Sequence, residues 1–358
     1  MTTLTHLECT VCGARQSPGS RPAPCPCGGA LAARYDLAAA RESWNRDWIQ
    51  NGPPTMWRYA PVLPVARPNW IVSLGEGLSP LVRAQRLGQR HGMAELWIKD
   101  EGANPGGGAA AREFSCLLSV CREWNVTGLR AAPVPEEAVA LAAYAAQAGM
   151  PAVLRLPDPV PASVAAACEA MGARFEETAP PAEGWLELGV VEEPYRLEGA
   201  KTVGLELAEQ LRWSLPEAII CPGRPGLLAA GIWKAALELE TLGWVAPRRP
   251  KVFVAGAASL PPLVEAAVAE SGGTVLEPAP GDARRAAMEA AAEGILVSPA
   301  GGMALAAALR LAEEGRWKDG ERVAVVNPAS GLLFAEYYGG GRRGGGEADK
   351  LGGLITPR

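Results

Sequence analysis

The stretch Leu96-Trp97-Ile98-Lys99-Asp100-Glu101-Gly102-Ala103-Asn104-Pro105-Gly106-Gly107-Gly108-Ala109-Ala110-Ala111-Arg112 runs from a short apolar segment through a glycine-rich loop into an alanine-rich one. Leu96–Ile98 reads as a strand, Pro105 and the glycines after it as a loop, and Ala111–Trp124 as a helix. The same unit repeats along the chain. Ala152–Leu156, Ala218–Cys221, Lys251–Ala255 and Val323–Val326 are further predicted strands. Between them lie segments of helical length at Glu136–Ala148, Ala162–Met171, Leu228–Leu242, Pro262–Glu270, Asp282–Ala292 and Met303–Glu314. Strands alternating with helices predict an α/β fold whose parallel sheets are covered on both faces. Ligands in such folds gather beyond the carboxyl ends of the strands. Chemistry is therefore expected in the loops that follow strands.

A chain of 358 residues has room for two or three domains at ~100–200 residues each. An apolar fraction of 48% against 20% charged residues excludes wholesale disorder. A formal net charge of -5 gives no general drive toward nucleic acid or anionic membrane, and neither is expected as a partner. No run of about 18 apolar residues is free of charge and proline, and Met1–Thr10 lacks a signal-peptide pattern. A cytoplasmic location is the expectation.

The first 34 residues hold Cys9-x-x-Cys12 and then Cys25-Pro26-Cys27. In a reducing compartment, clustered cysteines point to metal rather than to disulfides. Two pairs separated by a loop supply four thiolates to one tetrahedral ion. The segment is therefore predicted to be a structural zinc ribbon with Cys9, Cys12, Cys25 and Cys27 as ligands. A closed four-thiolate site leaves no open position, so no catalytic role is assigned to the zinc. Cys116, Cys121, Cys168 and Cys221 lie in apolar contexts and are expected to be buried bystanders. Residues 35–72, rich in Trp, Arg and Pro without a clear period, are expected to form an extended arm over another surface. The glycine–arginine run after Tyr338 predicts a flexible tail over 339–358.

Several segments resemble threonine synthase and its relatives among the fold-type-II pyridoxal-phosphate enzymes. Ile71-Val72-Ser73-Leu74-Gly75-Glu76-Gly77-Leu78-Ser79-Pro80-Leu81 is similar to a family motif, as is Lys99–Pro105, which leads into the family's cofactor lysine. So are Glu198-Gly199-Ala200-Lys201-Thr202-Val203-Gly204, Glu206–Gln210, Gly231–Ala235 and Ser298-Pro299. The cysteine ribbon ending in Arg34-Tyr35-Asp36-Leu37 also resembles that family's N-terminus. The likeness runs from about residue 7 to 338. It implies a two-domain, tryptophan synthase β-like fold. The larger domain is expected over 73–110 and 205–338 and the smaller over 111–204. It also implies a homodimer.

The resemblance breaks at the loops that hold the cofactor. The family opens a helix with Asn-Pro-Thr-Gly-Ser-Phe-Lys-x-Arg, whose lysine carries pyridoxal phosphate as an imine. Here the run is Asn104-Pro105-Gly106-Gly107-Gly108-Ala109-Ala110-Ala111-Arg112, with Ala110 in the lysine position. A methyl group neither forms an imine nor moves a proton. Lys99 fits a non-catalytic lysine of the family. The family's Ser-x-Gly-Asn is replaced by Val134-Pro135-Glu136-Glu137, two of whose side chains would repel a phosphate or phenolate. The phosphate-cradling Gly-Gly-Gly-Thr-Gly is replaced by Gly223-Arg224-Pro225-Gly226, where Pro225 removes an amide donor and Arg224 offers a guanidinium. Ser-Pro-Glu-Gly becomes Ser298-Pro299-Ala300-Gly301, and Asn-Thr-Gly-Ser-Gly becomes Asn327-Pro328-Ala329-Ser330-Gly331.

The altered loops predict a scaffold whose cofactor site has been dismantled, with no catalytic residue and no pyridoxal phosphate expected. The former cleft is expected to gather Asn104, Gly107, Gly108, Ala110, Arg112, Glu136, Glu137, Gly223, Arg224, Gly226, Ala300, Asn327 and Ser330. A regulatory or assembly subunit, paired with a catalytic paralogue or another protein, or a small-ligand binder fits this reading. Two alternatives stand beside it. One is new chemistry in the same cleft, for which Arg112, Glu136, Glu137, Arg224 and Ser330 are the available groups. The other is a residual pyridoxal-phosphate lyase that recruits Lys99 or Lys201. His6 and His91, the only histidines, fall in no cleft loop, which leaves a histidine-based triad without support.

Overall fold

The computed structural model describes residues 2–175, 183–189, 194–223, 227–257 and 259–339. The expected tail from 340 onward lies outside the described residues. At the N-terminus, β1 (Leu4–Cys9) pairs antiparallel with β2 (Arg15–Gln16) and with β3 (Leu31–Tyr35). Cys9 ends β1, Cys12 follows in the turn to β2, and Cys25 and Cys27 precede β3. Leu7, Leu31 and Ala33 of this small sheet are buried in the same cluster as the body's Leu239 and Trp244.

The segment 35–72 is not the extended arm that its composition suggests. It is wound into short helices, Leu37–Ser43 and Arg46–Gln50, and a 3-10 turn, Met56–Val62. Each has a side-chain cap that accepts from a first-turn amide: Asp36 from Ala39 at 2.9 Å, Asn45 from Trp48 at 2.8 Å, and Thr55 from Trp57 at 3.2 Å. Pieces this short show no readable period. Trp44, Ile49, Met56, Tyr59 and Val62 are nevertheless buried to within 1% of complete. Trp44 packs on Trp244 with ring centroids 4.5 Å apart.

The body begins with β4 (Leu81–Arg83) and β5 (Glu95–Asp100). The chain then builds a second sheet from β6 (Gly128–Ala131), β7 (Ala152–Leu154), β8 (Arg174–Phe175) and β9 (Trp185–Leu188). It returns to the first with β10 (Ala218–Pro222), β11 (Lys251–Ala255), β12 (Val275–Leu276) and β13 (Arg322–Asn327). The large sheet has the order β12-β11-β10-β13-β5-β4, parallel except for β4. The small sheet, β8-β7-β6-β9, is parallel throughout. Alternation within the strands explains the two-sided cover. Ile220, Val323 and Val325 face one cluster with Leu305 and Ala287, whereas Ile219, Cys221, Ala324 and Val326 face another with Leu228 and Ile232.

The longest helix, Pro194–Gln210, is absent from the periodicity reading. Its residues are almost all buried, including Arg196, Glu198, Lys201 and Glu206. A helix enclosed on every side with its charges paired inside shows no apolar stripe. Gly199 lets it cross the helix Ala110–Glu123 closely, since a Cβ there would lie 2.2 Å from the Arg112 carbonyl oxygen. Among the described residues, no helix is long and apolar enough to cross a membrane.

Candidate functional site

The carboxyl ends of β5, β13 and β10 stand side by side. From Asp100 the chain turns through Glu101–Ala103 and Pro105–Gly107 before the helix Ala110–Glu123 begins. Asn327, fully buried at the end of β13, ties three loops together. Its Oδ1 accepts from the Ser298 amide at 3.0 Å, and its Nδ2 donates to Asp100 Oδ1 at 2.8 Å. The Ala109 amide donates to the Pro328 carbonyl at 2.7 Å, and the Ser330 amide to the Gly107 carbonyl at 2.8 Å. Gly108 and Ala329 form an antiparallel bridge. Ser330 caps the turn Gly331–Phe334, and Ser298 caps the helix Pro299–Glu313, whose first turn holds Ala300. Gly223, buried just past β10, donates its amide to the Ala255 carbonyl at 2.7 Å. The structure thus brings Gly107, Gly108, Ala110, Ala300, Asn327 and Ser330 to one edge, with Gly223 at the neighbouring strand. Arg224 and Gly226 lie outside the described residues.

The second sheet meets this edge through the helix Pro135–Ala148, which carries Glu136 in its first turn. Gly106 has φ +73, and a Cβ there would lie 2.6 Å from the Ala140 Cα. Leu333 stands over Gly107, and its carbonyl accepts from Ser163 Oγ at 3.2 Å. Tyr144 donates from its hydroxyl to Glu76 Oε2 at 2.5 Å. Glu76, fully buried, also accepts from Trp57 Nε1 at 2.9 Å and from Ser115 Oγ at 2.6 Å.

Three of the expected cleft side chains face elsewhere. Arg112 follows Ala110 by two residues, a rotation of ~200° around the helix. It is fully buried and donates to Glu101 Oε2 at 2.6 Å and to Glu206 Oε2 at 2.9 Å. Lys99 joins this network, donating to Glu206 Oε1 at 2.5 Å, Ser79 O at 2.8 Å and Gln210 Oε1 at 3.0 Å. Burial alone would raise the Glu206 pKa, but Arg112 and Lys99 outweigh it and hold the group at about 2. Asn104 is spent on the same framework, accepting from the Gly77 amide at 2.9 Å and donating to Glu101 Oε2 at 2.7 Å. Glu137 pairs with Arg196, which also donates to Glu113 Oε2 at 2.6 Å. Glu113 Oε1 has no hydrogen-bond partner, and burial pushes this carboxyl up to about 7 despite Arg196.

Arg112, Glu137, Asn104 and Lys99 are named from the sequence, but the pairings that bury them, with Glu101, Glu206 and Arg196, are not. The available signal was the polar series Glu198, Lys201, Thr202, Glu206 and Gln210, in which Glu198 and Lys201 are three residues apart and Thr202, Glu206 and Gln210 follow at four-residue steps, spacings that bring helix side chains together. The two histidines stay away from the edge: His91 bonds Glu289 at 3.0 Å, and His6 lies in β1.

At the N-terminus the sulfur atoms of Cys9, Cys12, Cys25 and Cys27 all lie within 4.8 Å of one another. Cys9–Cys27 and Cys25–Cys27 are 3.4 Å apart and Cys12–Cys25 3.5 Å. Tetrahedral zinc with Zn–S bonds of ~2.3 Å needs sulfur spacings of ~3.8 Å, so the donor set fits zinc. The amides of Cys12 and Val11 favour the Cys9 thiolate and bring that thiol down to about 6.

The model of the pyridoxal-phosphate dependent enzyme family matches residues 72–329, and the chain belongs to that family. Within it the likeness is to threonine synthases. The chain is 31% identical over 273 residues to the threonine synthase of Methanocaldococcus jannaschii, covering 72% of this chain and 67% of that protein. It is 32% identical over 279 residues to that of Methanosarcina acetivorans, covering 74% and 67%. The solved structure of O-ureido-L-serine synthase superposes with a TM-score of 0.62 at 18% identity, over 76% of this chain and 96% of the other. A threonine deaminase from Solanum lycopersicum gives 0.57 at 20%, over 72% and 86%. These two likenesses speak for the fold alone.

Proposed function

We propose that this chain is a non-catalytic member of the family, a threonine synthase-like scaffold that does not hold pyridoxal phosphate as an imine and acts through a protein partner. The observation that carries the reading is Ala110, 1% exposed at the start of the helix where the family motif puts its lysine. The described lysines do not replace it. Lys99 and Lys201 are wholly buried in ion pairs, with Glu206 and with Glu198 and Glu238. Lys234 is held by Glu198 and by the Ala33 carbonyl. Lys251 opens β11 at the opposite edge of the sheet, and Lys318 lies in the connection leading into β13. The residues present therefore do not fit a covalently held cofactor. Glu137, at the place of a neutral amide in the family motif, adds a carboxylate already committed to Arg196.

The contacts that draw the two sheets together, Gly106 on Ala140, Ser163 on Leu333 and Tyr144 on Glu76, speak against an open small-ligand cleft, and a role in assembly is the reading adopted. A homodimer, or a pair with a catalytic paralogue, and a cytoplasmic location complete the reading. The test is an absorbance spectrum after adding pyridoxal phosphate, with borohydride reduction and peptide mapping. The expected result is no specific imine band and no threonine formed from phosphohomoserine. One lysine reduced stoichiometrically in the unmodified protein would sink the proposal.

A further inference from the structure

One short strand joins the cysteine cluster to the centre of the body. In β3, Leu31 stands opposite Cys9 in register. Two residues on, the Ala33 carbonyl accepts from Lys234 Nζ at 2.8 Å. At the end of the strand the Tyr35 ring lies over two ammonium groups, Lys201 Nζ at 4.2 Å and Lys234 Nζ at 5.0 Å from its centroid. Both lysines pair with Glu198, and both with Glu238, at 2.9 Å and 3.4 Å. Glu198 and Lys201 are fully buried.

Two cations and two carboxylates make this cluster formally neutral. Lys201 is fully buried and Lys234 mostly so, and each ammonium takes further acceptors. The N-terminal segments supply them: Ala33 for Lys234, Val62 for Lys201 at 2.7 Å, and the Tyr35 face for both. Lifting β3 would take the Ala33 carbonyl from Lys234 and the Tyr35 face from both ammonium groups, leaving Lys201 on Val62 and the two carboxylates; stripping partners from a mostly buried ion cluster is costly. The cost would not stay local. Glu198 and Lys201 belong to the helix Pro194–Gln210, which also carries Arg196 beneath Glu137 and Glu206 beneath Arg112.

We propose that the cysteine cluster is a metal-gated clamp on the body. Zinc bound there holds Ala33 and Tyr35 on the Lys201–Glu198–Lys234 cluster, and its loss loosens the helix Pro194–Gln210 and the contacts across the cleft. The clamp goes beyond the non-catalytic reading and stands whether or not the cleft holds a ligand. Linkage is reciprocal, so weakening the body's grip on β3 must weaken zinc binding by the same factor.

The experiment uses the full chain, zinc-loaded or stripped with a chelator in reducing buffer. Amide hydrogen exchange is followed over 198–206 and over 104–109. Stripping is expected to speed exchange at least about tenfold in both segments. In a second arm, zinc affinity is measured by chelator competition for Tyr35→Leu and Lys234→Gln, neither of which touches a thiolate. Each is expected to bind zinc about tenfold more weakly, in keeping with a desolvated cation–π contact. If Tyr35→Leu does not fold, Lys234→Gln decides. Body exchange unchanged by stripping, zinc affinity unchanged in the folded variants, or a protein that takes up no zinc each overturns the clamp. The non-catalytic reading fails by a different signal, the absorbance of an imine, so the two are judged separately.

Discussion

Gly106 and Ala140 meet backbone to backbone: a Cβ on the glycine would stand 2.6 Å from the alanine Cα. The loop from β5 and the helix Pro135–Ala148 are in direct contact there, with no space for a side chain between them. Gly106→Ala should therefore be destabilising twice over, through the clash and through φ +73. The expected loss is about 2–4 kcal/mol, combining left-handed strain with overpacking. Urea unfolding measures it, and a neutral result would mean the helix shifts away freely.

Ala110→Lys restores the one group that forms an imine, yet it is not expected to restore threonine synthesis. The loop where the family motif has Ser-x-Gly-Asn would still read Val134-Pro135-Glu136-Glu137, and each mismatched polar contact typically costs ~1–3 kcal/mol. Assay of phosphohomoserine turnover with added pyridoxal phosphate checks this. Threonine formed by the single variant would show that the other altered loops matter little.

Cys12→Ser or Cys27→Ser should abolish tight zinc binding, with one zinc per chain in the parent protein by elemental analysis. Metal binding drives the folding of small ribbons. Unfolding of residues 1–34 is therefore expected on loss of the ion, with slackening of the helix Pro194–Gln210 behind it.

Arg112→Ala leaves Glu101 buried without its guanidinium, since Lys99 Nζ is 3.9 Å from Glu101 and bonded to Glu206 instead. Breaking a buried pair by removing one partner typically costs about 3–5 kcal/mol. The variant should unfold at markedly lower urea concentration. Midpoints within experimental scatter of the parent would contradict the network.

Glu113 should make stability fall as pH rises through neutrality. Glu113 sits at about 7 in the folded chain, above the ordinary 4.5. Its folded form binds the extra proton, so the stability it contributes is full below about 4.5 and is lost as pH rises through 7. Glu206, held at about 2, works the other way: its contribution is present above 4.5 and is lost as pH falls toward 2. Glu113→Gln should remove the fall in melting temperature between pH 5 and 8 while keeping an acceptor for Arg196. An unchanged slope in the variant would rule Glu113 out as its source.

Much of the body was readable because its signals are local. The buried parallel strands are continuous apolar runs, and Lys251–Ala255 has the same bounds in sequence and structure. The four cysteines lie within 18 residues of one another and meet through two tight turns. What escaped depends on distant partners. Glu113 and Arg196 are 83 residues apart, and nothing near either one announces the other. The helix Pro194–Gln210 hides because its charges point inward, which erases the stripe that a surface helix shows. The short helices before residue 72 hide because each is too brief to establish a period.

The helix Pro194–Gln210 also bears on how relatives of this chain should be sorted. Its family-like residues are occupied in holding the molecule together: Glu198 and Lys201 with Lys234 and Glu238, Glu206 with Lys99 and Arg112, Glu209 with Arg58. A lineage that abandoned catalysis would still be obliged to keep them in order to fold. Likeness over that helix therefore reports common descent and says little about turnover. On the proposed reading, working and silent members are better told apart by position 110 together with the altered residues at 134–137, 300 and 328–329.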